Sequence, residues 1–337
     1  MDPQGLAATY WFDAPSTAGP FSVTVRISGI RTGIKGKPTN RDAFQRNDRV
    51  TGISDGGGRV ALTTKAHGIN PGEWRVTAEP VEQTGTAAAE RLPRRAITTR
   101  TSFARLAFGP SVRVTAWPAL VGAGYVVALL LQALLLARAG VAVLPALLVS
   151  LLASVLGFVG GKVYYLVLHR KHPREFLSAG ACVQGFLITA FGALAVAVAL
   201  LHMPVGVLLD ATTPGLFLGL AIGRPGCFLT GCCAGRPTGS HWGLCSSDRR
   251  VVIRRVPVQL IEAVAALIIG IVALALVLVV HAPIAGAIFV GALAAYVLVR
   301  QMLFTLRANS RTPHGRAITM AIAGLVLLAS LATPLVA

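Results

Sequence analysis

The sequence predicts an all-α polytopic membrane protein of about seven transmembrane helices with a small N-terminal β-sandwich-like domain. The chain of 337 residues is 54% hydrophobic and has a mean hydropathy of +0.67, which is too apolar for an ordinary soluble protein. Its charge is unevenly spread, because 9 of the 13 acidic residues precede Trp117 and long stretches after it carry no charge. Uncharged apolar stretches of this length are typical of helices that cross a bilayer.

Residues 1–108 are predicted to form the polar N-terminal domain. Apolar and polar residues alternate in FSVTVRISGI (21–30), and turn residues precede further alternating runs in SDGGGRVALTT (54–64) and INPGEWRVTAEPV (69–81). The pattern is typical of an immunoglobulin-like sandwich, although it lacks the Cys–Trp–Cys set of true immunoglobulin domains. A small, partly disordered domain is the alternative. The N-terminus has no basic segment followed by an apolar one, so no cleavable signal peptide is expected.

Residues 109–337 are predicted to form a seven-helix membrane domain. Seven apolar segments each approach the roughly 20 residues that span a bilayer, and they cover 117–139, 141–168, 178–202, 205–230, 258–280, 283–304 and 316–336. Glycine and alanine are frequent within them, as expected where helices approach closely in a membrane.

The net charge of +18 points to anionic lipid head groups as partners rather than to nucleic acid, because no strong nucleic-acid motif accompanies it. Lysine and arginine concentrate in the N-terminal domain and in the loops predicted on the same side of the membrane. The positive-inside rule therefore favours a cytoplasmic N-terminus. Arginines gathered to bind an anionic substrate would bias that rule.

The stretch GRPGCFLTGCCAGRPT (223–238) holds two arginines, three cysteines and four glycines where an apolar segment ends. Ionisable residues at membrane depth are costly and are candidate functional residues by default. Arg224, Glu262 and Arg300 are such residues in this chain. Gly223 and Gly226 flank Arg224 and would let backbone approach whatever that side chain binds.

This stretch is similar to the signature of the prolipoprotein diacylglyceryl transferases, bacterial seven-helix enzymes with the pattern GRxGNFxNGExxGRPT. Weaker matches follow the family's order, namely FGPSVRV (108–114), GGKVYY (160–165), VPVQLIEA (256–263) and VRQMLFTLR (299–307). The resemblance spans about residues 108 to 310 and leaves the N-terminal domain unexplained.

The resemblance implies a multi-pass enzyme of the bacterial inner (plasma) membrane that needs no cofactor or metal. It would move the diacylglyceryl group of phosphatidylglycerol to a cysteine thiol of a lipoprotein precursor that carries a lipobox. Arg224 and Arg300 would contact the phosphate, and Glu262 would hold one of them in place. The residues expected to bind substrate are Gly223, Gly226, Cys227, Gly231, Cys232, Gly235, Arg236, Gln184 and Gln259.

The chain departs from the family where protons are handled. Cys227 and Cys232 replace the motif's asparagine and glutamate, and Gln184 replaces the family's histidine, although a glutamine cannot act as a base. His241 is the nearest substitute base, and it lies in a predicted loop. A thiolate beside Arg224 or Arg236 would be activated as a lipid carrier.

Two other classes of function stay open. One is a catalytically inactive protein that binds or senses lipid. The other is a metal or redox protein that uses the cysteine cluster, although its C-x4-C-C-x11-C spacing fits no standard zinc pattern. A titratable base close to the arginines would distinguish the enzyme from the lipid-binding protein.

Overall fold

A computed structural model describes residues 4–16, 19–55, 57–81, 92–104, 107–176, 180–279, 284–308 and 314–336. The chain forms two compact units. One comprises Met1–Val121, Ile222–Val264 and Arg300–Pro313, and the other comprises Gly122–Ala221, Ala265–Val299 and His314–Ala337. The first unit therefore contains the predicted N-terminal domain. It also contains the stretch GRPGCFLTGCCAGRPT (223–238), which begins in the fourth apolar segment.

The N-terminal part of the first unit is built from antiparallel strands in two sheets. Its strands are β1 (Gln4–Asp13), β2 (Phe21–Arg31), β3 (Ala43–Ile53), β4 (Arg59–His67), β5 (Glu73–Val81), β6 (Arg95–Arg100) and β7 (Ser102–Phe103). In β2 every second side chain from Phe21 to Ile27 is buried, as the alternating sequence predicts. These side chains share one core with Leu6 of β1 and Trp74 of β5. The predicted N-terminal sheet domain is confirmed, and its immunoglobulin-like class stays a prediction.

Two further strands of this domain come from the loop after the fourth apolar segment. They are β8 (Leu244–Ser247) and β9 (Val251–Arg255), which pair with each other, while β9 also pairs with β4 through Leu62 opposite Val251. The sheets have the orders β7-β1-β4-β9-β8 and β3-β2-β5-β6. Val251 and Ile253 are buried in the sandwich core, so this hairpin is part of the N-terminal domain in space.

Within the described residues, seven long helices follow the predicted apolar segments closely. They are α1 (Ala116–Arg138), α2 (Val143–Leu168), α3 (Val183–Leu201), α4 (Val205–Thr230), α5 (Val258–Val279), α6 (Ala287–Leu303) and α7 (His314–Val336). Each is long and apolar enough to cross a membrane. Large apolar side chains such as Leu130, Val167 and Leu200 are exposed on them, as expected for surfaces that face lipid. The predicted polytopic membrane fold is confirmed.

In the second unit, glycines allow two helices to touch, and a buried carboxylate caps a third helix. A Cβ added to Gly124 of α1 would lie 2.3 Å from the carbonyl oxygen of Gly219 of α4, so the two backbones touch where glycine is present. Asp210 of α4 is buried, and its carboxylate accepts hydrogen bonds from the backbone amides of Gly286 and Phe289 at 2.7 and 2.9 Å. Asp210 therefore caps the N-terminus of α6, a structural role that explains one costly charge.

Asp42 is expected to make the N-terminal domain sensitive to acid. Its buried carboxylate accepts hydrogen bonds from Asn70, from the amide and hydroxyl of Thr39, and from Arg31. These bonds favour the charged form and hold the pKa of Asp42 well below its usual range. Because the folded-state pKa is lowered, the stabilisation is present above the unfolded-state pKa of about 4 and is lost as pH falls below it.

The variant Asp42→Asn should therefore unfold at a lower temperature than the wild type at about pH 7, and the difference should shrink at about pH 3. Thermal unfolding of the detergent-solubilised protein, followed by tryptophan fluorescence, measures both. Asp13→Asn is the matched control, because Asp13 is 78% exposed in a loose pair with Arg59. A difference of the same size at both pH values would contradict the assignment.

Candidate active site

The glycines of the stretch 223–238 shape the site through close backbone contacts. Gly226 lies on α4 where a Cβ would be 3.0 Å from the Cα of Trp117, and Gly223 faces Val121 on the same helix α1. Gly231 has φ of +75° and ends α4, a left-handed conformation that favours glycine. At Gly235 a Cβ would lie 2.0 Å from the carbonyl oxygen of Val256. Gly226, Gly231 and Gly235 thus permit approaches that a side chain would hinder, whereas a Cβ at Gly223 would make an ordinary contact at 3.4 Å.

Two arginines share one buried carboxylate at the centre of the site. Glu262 of α5 is fully buried, and its Oε2 lies 3.0 Å from Nη1 of Arg224, which is 9% exposed on α4. The other oxygen, Oε1, accepts a hydrogen bond from Nη2 of Arg307. Arg307 follows a short 3-10 turn after α6. We call these three residues the arginine–glutamate cluster; it carries a formal charge of +1.

Backbone hydrogen bonds fix the segment from Cys232 to Arg236 beside this cluster. Gln259 of α5 donates from Nε2 to the carbonyl of Cys232 at 2.9 Å. The amide of Ala308 donates to the carbonyl of Ala234 at 3.0 Å, and the amide of Arg236 donates to the carbonyl of Leu306 at 2.9 Å. The segment is thereby bound to the two elements that carry Glu262 and Arg307.

Arg255, the last residue of β9, connects this segment to the hairpin. Its guanidinium is buried and donates to the carbonyl of Gly235 at 3.1 Å and to the carboxylate of Asp248 at 2.6 Å. Since β9 pairs with β4, hydrogen bonds run without a break from the N-terminal sheet to the segment beside the cluster. The hairpin therefore helps to hold the site in place.

Three cysteines lie at the end of α4. Cys227 is buried, Cys232 is partly buried, and Cys233 is exposed with φ of 54°. The carbonyl of Cys227 accepts from the amide of Cys232 at 3.0 Å and from its thiol at 3.7 Å. All are free thiols, as is the exposed Cys245 of β8. Within the described ranges, no group of three or more His, Cys, Asp or Glu side chains is arranged to hold a metal ion.

The structure places the remaining predicted site residues as follows. His241 lies in an exposed turn with its ring against Trp242, and no contact among the described residues links it to the arginine–glutamate cluster. Arg236 has an exposed side chain. Gln184 is an exposed residue at the start of α3, in the second unit, and its Oε1 accepts from the thiol of Cys182 at 3.8 Å.

The structure adds one partner of Glu262 that the sequence analysis did not name. Glu262 pairs with Arg224, as a buried carboxylate requires, but its second partner is Arg307 and not Arg300. Arg300 lies half-buried in the last turn of α6 and makes no hydrogen bond or ion pair with any residue that the structure describes. The signal for Arg307 was present in VRQMLFTLR, which ends on that residue.

Comparisons with known proteins identify the family of the chain. The family model described as prolipoprotein diacylglyceryl transferase matches residues 105–334. A phosphatidylglycerol–prolipoprotein diacylglyceryl transferase of Dehalococcoides mccartyi strain 195 is 38% identical over 99 residues, which are 27% of this chain and 38% of the relative. The enzyme of that name from strain BAV1 is 39% identical over 94 residues, 25% of this chain and 36% of the relative.

The aligned part thus spans less than two fifths of the length of these curated relatives. The family model, in contrast, covers the arginine–glutamate cluster and the described helices α1 to α7 except for the last two residues of α7. This multi-pass membrane protein belongs to the prolipoprotein diacylglyceryl transferase family.

Proposed function

We propose that the chain is a phosphatidylglycerol–prolipoprotein diacylglyceryl transferase of the bacterial inner membrane. In this proposal residues 109–337 form the catalytic membrane domain, and residues 1–108 form the N-terminal domain that the hairpin β8–β9 joins. The observation that carries the proposal is the arginine–glutamate cluster, in which one buried carboxylate holds two guanidinium groups.

The cluster suits the phosphodiester of an anionic phospholipid. Its formal charge of +1 would be neutralised by one phosphodiester group, and a guanidinium offers its donors in a planar fork that matches phosphate oxygens. Nε of Arg307 is buried and has no hydrogen-bond partner within the described part of the chain. A buried donor of this kind is costly unless a ligand accepts from it. Arg300 is proposed as a further phosphate contact.

The reaction is a displacement at carbon. The sulfur of the lipobox cysteine loses its proton and attacks the glyceryl carbon of phosphatidylglycerol that bears the phosphate oxygen. The new C–S bond forms as the C–O bond breaks, and glycerol phosphate leaves with the electron pair. Arg224 and Arg307 would stabilise the charge that develops on the departing phosphate. Glu262 is ion-paired with both arginines, so its proposed role is to position them.

Transfer in vitro tests the proposal. The purified full-length protein is mixed with vesicles that contain phosphatidylglycerol labelled in its acyl chains and with a lipobox peptide. We expect the label to pass to the peptide in a thioether linkage, with release of glycerol phosphate. A peptide with serine in place of the cysteine, and vesicles of phosphatidylcholine alone, should give no product. Failure to complement a transferase-depleted strain, together with absence of label on the peptide, would overturn the proposal.

A catalytically inactive lipid-binding protein is the second candidate. It is favoured by the replacement of the family's histidine, asparagine and glutamate with Gln184, Cys227 and Cys232. Such a protein would retain the arginine–glutamate cluster and bind phosphatidylglycerol without transferring it. Saturable binding of phosphatidylglycerol in the absence of any product on the peptide would support this candidate over the enzyme.

A further inference from the structure

Cys233 is held at the edge of the arginine–glutamate cluster by contacts on both sides. The carbonyl before it, on Cys232, accepts from the side chain of Gln259 at 2.9 Å. The carbonyl after it, on Ala234, accepts from the amide of Ala308 at 3.0 Å. Gln259 lies one helical turn before Glu262, and Ala308 directly follows Arg307. The backbone of Cys233 is therefore held between the elements that carry the cluster.

The backbone of Cys233 is in an unusual conformation for this residue type. Its φ of 54° lies in the left-handed region, where a residue with a Cβ is disfavoured. Such residues persist where the surrounding contacts impose the conformation, and they are frequent at functional sites. The side chain is exposed, so it can meet a substrate thiol.

The surroundings of Cys233 favour a thiolate. The neighbouring thiols of Cys227 and Cys232, followed by the positive charges of Arg307 and Arg224, lower the pKa of Cys233 well below its usual range. The thiol of Cys232 has the opposite shift, because its contacts with Cys227 and Cys233 and its burial raise its pKa. Of these two neighbouring thiols, Cys233 is therefore the one whose surroundings favour the charged form.

Counting charges shows what donor binding does to this thiolate. Arg224 and Arg307 bring two positive charges and Glu262 brings one negative charge, so a thiolate on Cys233 balances the remaining +1 only while no phosphodiester is bound. A bound phosphodiester adds a negative charge beside the two arginines. By linkage, binding of the phosphodiester raises the affinity of Cys233 for a proton. The thiolate thus becomes a better base when the lipid donor is present.

We propose that Cys233 is the catalytic base that removes the proton from the lipobox cysteine, in place of the base that the family pattern leads one to expect. This inference rests on the proposed transferase function. The proton passes from the acceptor thiol to Sγ of Cys233, the acceptor sulfur forms the C–S bond, and glycerol phosphate leaves. Cys233 then returns the proton to the departing phosphate or to water.

Cys233 acts as a base and not as a carrier of the lipid. If its own sulfur attacked the glyceryl carbon, it would form a thioether, and a second thiol would have to displace a thiolate from carbon to free the lipid. A thiolate bound to an alkyl carbon is a poor leaving group without activation. Proton transfer needs no such bond and is reversed in each turnover.

Transfer assays on variants of the full-length protein test the base. Cys233→Gly should lower kcat at least about 100-fold, the usual contribution of a general base. Its folding should be preserved, because glycine adopts the left-handed conformation readily. Cys233→Asp should recover part of the rate, since aspartate offers an anionic acceptor and tolerates the same φ. Cys245→Ala is the matched control and should transfer at the wild-type rate.

Alkylation of the thiols gives a readout that does not need transfer. Iodoacetamide labelling, quantified by mass spectrometry over a range of pH, should label Cys233 at a lower pH than Cys245. Vesicles with phosphatidylglycerol should move the midpoint for Cys233 upward, whereas phosphatidylcholine vesicles should leave it in place.

The two readouts separate the inference from the function on which it rests. Wild-type protein that lacks transfer activity overturns the proposed function, whatever the labelling shows. Active wild-type protein with an unchanged kcat in Cys233→Gly overturns the base. Labelling of Cys233 at the pH of an ordinary thiol, or no response to phosphatidylglycerol, overturns it as well.

Discussion

Replacing Arg224 with alanine is expected to lower diacylglyceryl transfer by about a thousandfold, the scale of losing a donor aimed at developing charge. Arg224 is 9% exposed on α4 and directs its guanidinium to Glu262 at the proposed phosphate site. The variant should still insert and fold, because Glu262 keeps Arg307 as its partner. Transfer from labelled phosphatidylglycerol to a lipobox peptide measures the loss.

Two further variants make this test specific. Arg224→Lys keeps the positive charge but loses the planar fork, so it should recover only a small part of the rate. Arg138→Ala removes an exposed arginine from the last turn of α1 and should transfer at the wild-type rate. Wild-type transfer by Arg224→Ala, with insertion verified, would exclude Arg224 from the phosphate site.

The helices could be predicted from the sequence because each is determined locally. An apolar run of about 20 residues must satisfy its own backbone in lipid, and a helix does this without help from the rest of the chain. The observed helices accordingly follow the predicted segments, with α3 beginning at Val183 rather than 178 and α6 at Ala287 rather than 283. The alternation in β2 is equally local.

The hairpin β8–β9 could not be predicted in the same way. Its strands have four and five residues, and they join the N-terminal sheet only because β9 pairs with β4, almost two hundred residues earlier in the chain. The sequence therefore predicted candidate site residues in the loop between α4 and α5 but no strands. The pairing shows that it also completes the N-terminal sheet.

The part of the site that could be predicted is the part in which a charged side chain is buried, because a buried charge is costly without a partner. A buried carboxylate needs a cationic partner, so Glu262 was expected to pair with Arg224 or Arg300, and it pairs with Arg224. The second partner depends on where α6 ends, because the turn after Leu303 brings Arg307 to Glu262. Cys233 was not singled out either, since the family pattern leaves its position unspecified and its surroundings arise from three separate segments.

Glu262→Gln is expected to have the largest effect on the architecture of the site. Glutamine leaves Arg224 and Arg307 buried beside each other without a counter-ion. Removing one member of a buried ion pair typically costs about 3–5 kcal/mol of stability, because the remaining charge is uncompensated. We therefore expect lower thermal stability, a raised KM for phosphatidylglycerol and transfer reduced at least about a hundredfold, since neither arginine would keep its orientation.

Measuring kcat, KM and thermal stability together distinguishes a positioning role of Glu262 from a role as the base. A base whose loss affects only the chemical step lowers kcat and leaves KM and stability unchanged. A positioning residue changes all three, and Glu262→Asp, which keeps the charge, should restore much of the stability. In the double variant Glu262→Gln/Arg307→Gln one uncompensated charge is gone, so part of the stability should return while transfer stays low. Unchanged stability and KM in Glu262→Gln would contradict the positioning role and favour Glu262 as the base in place of Cys233.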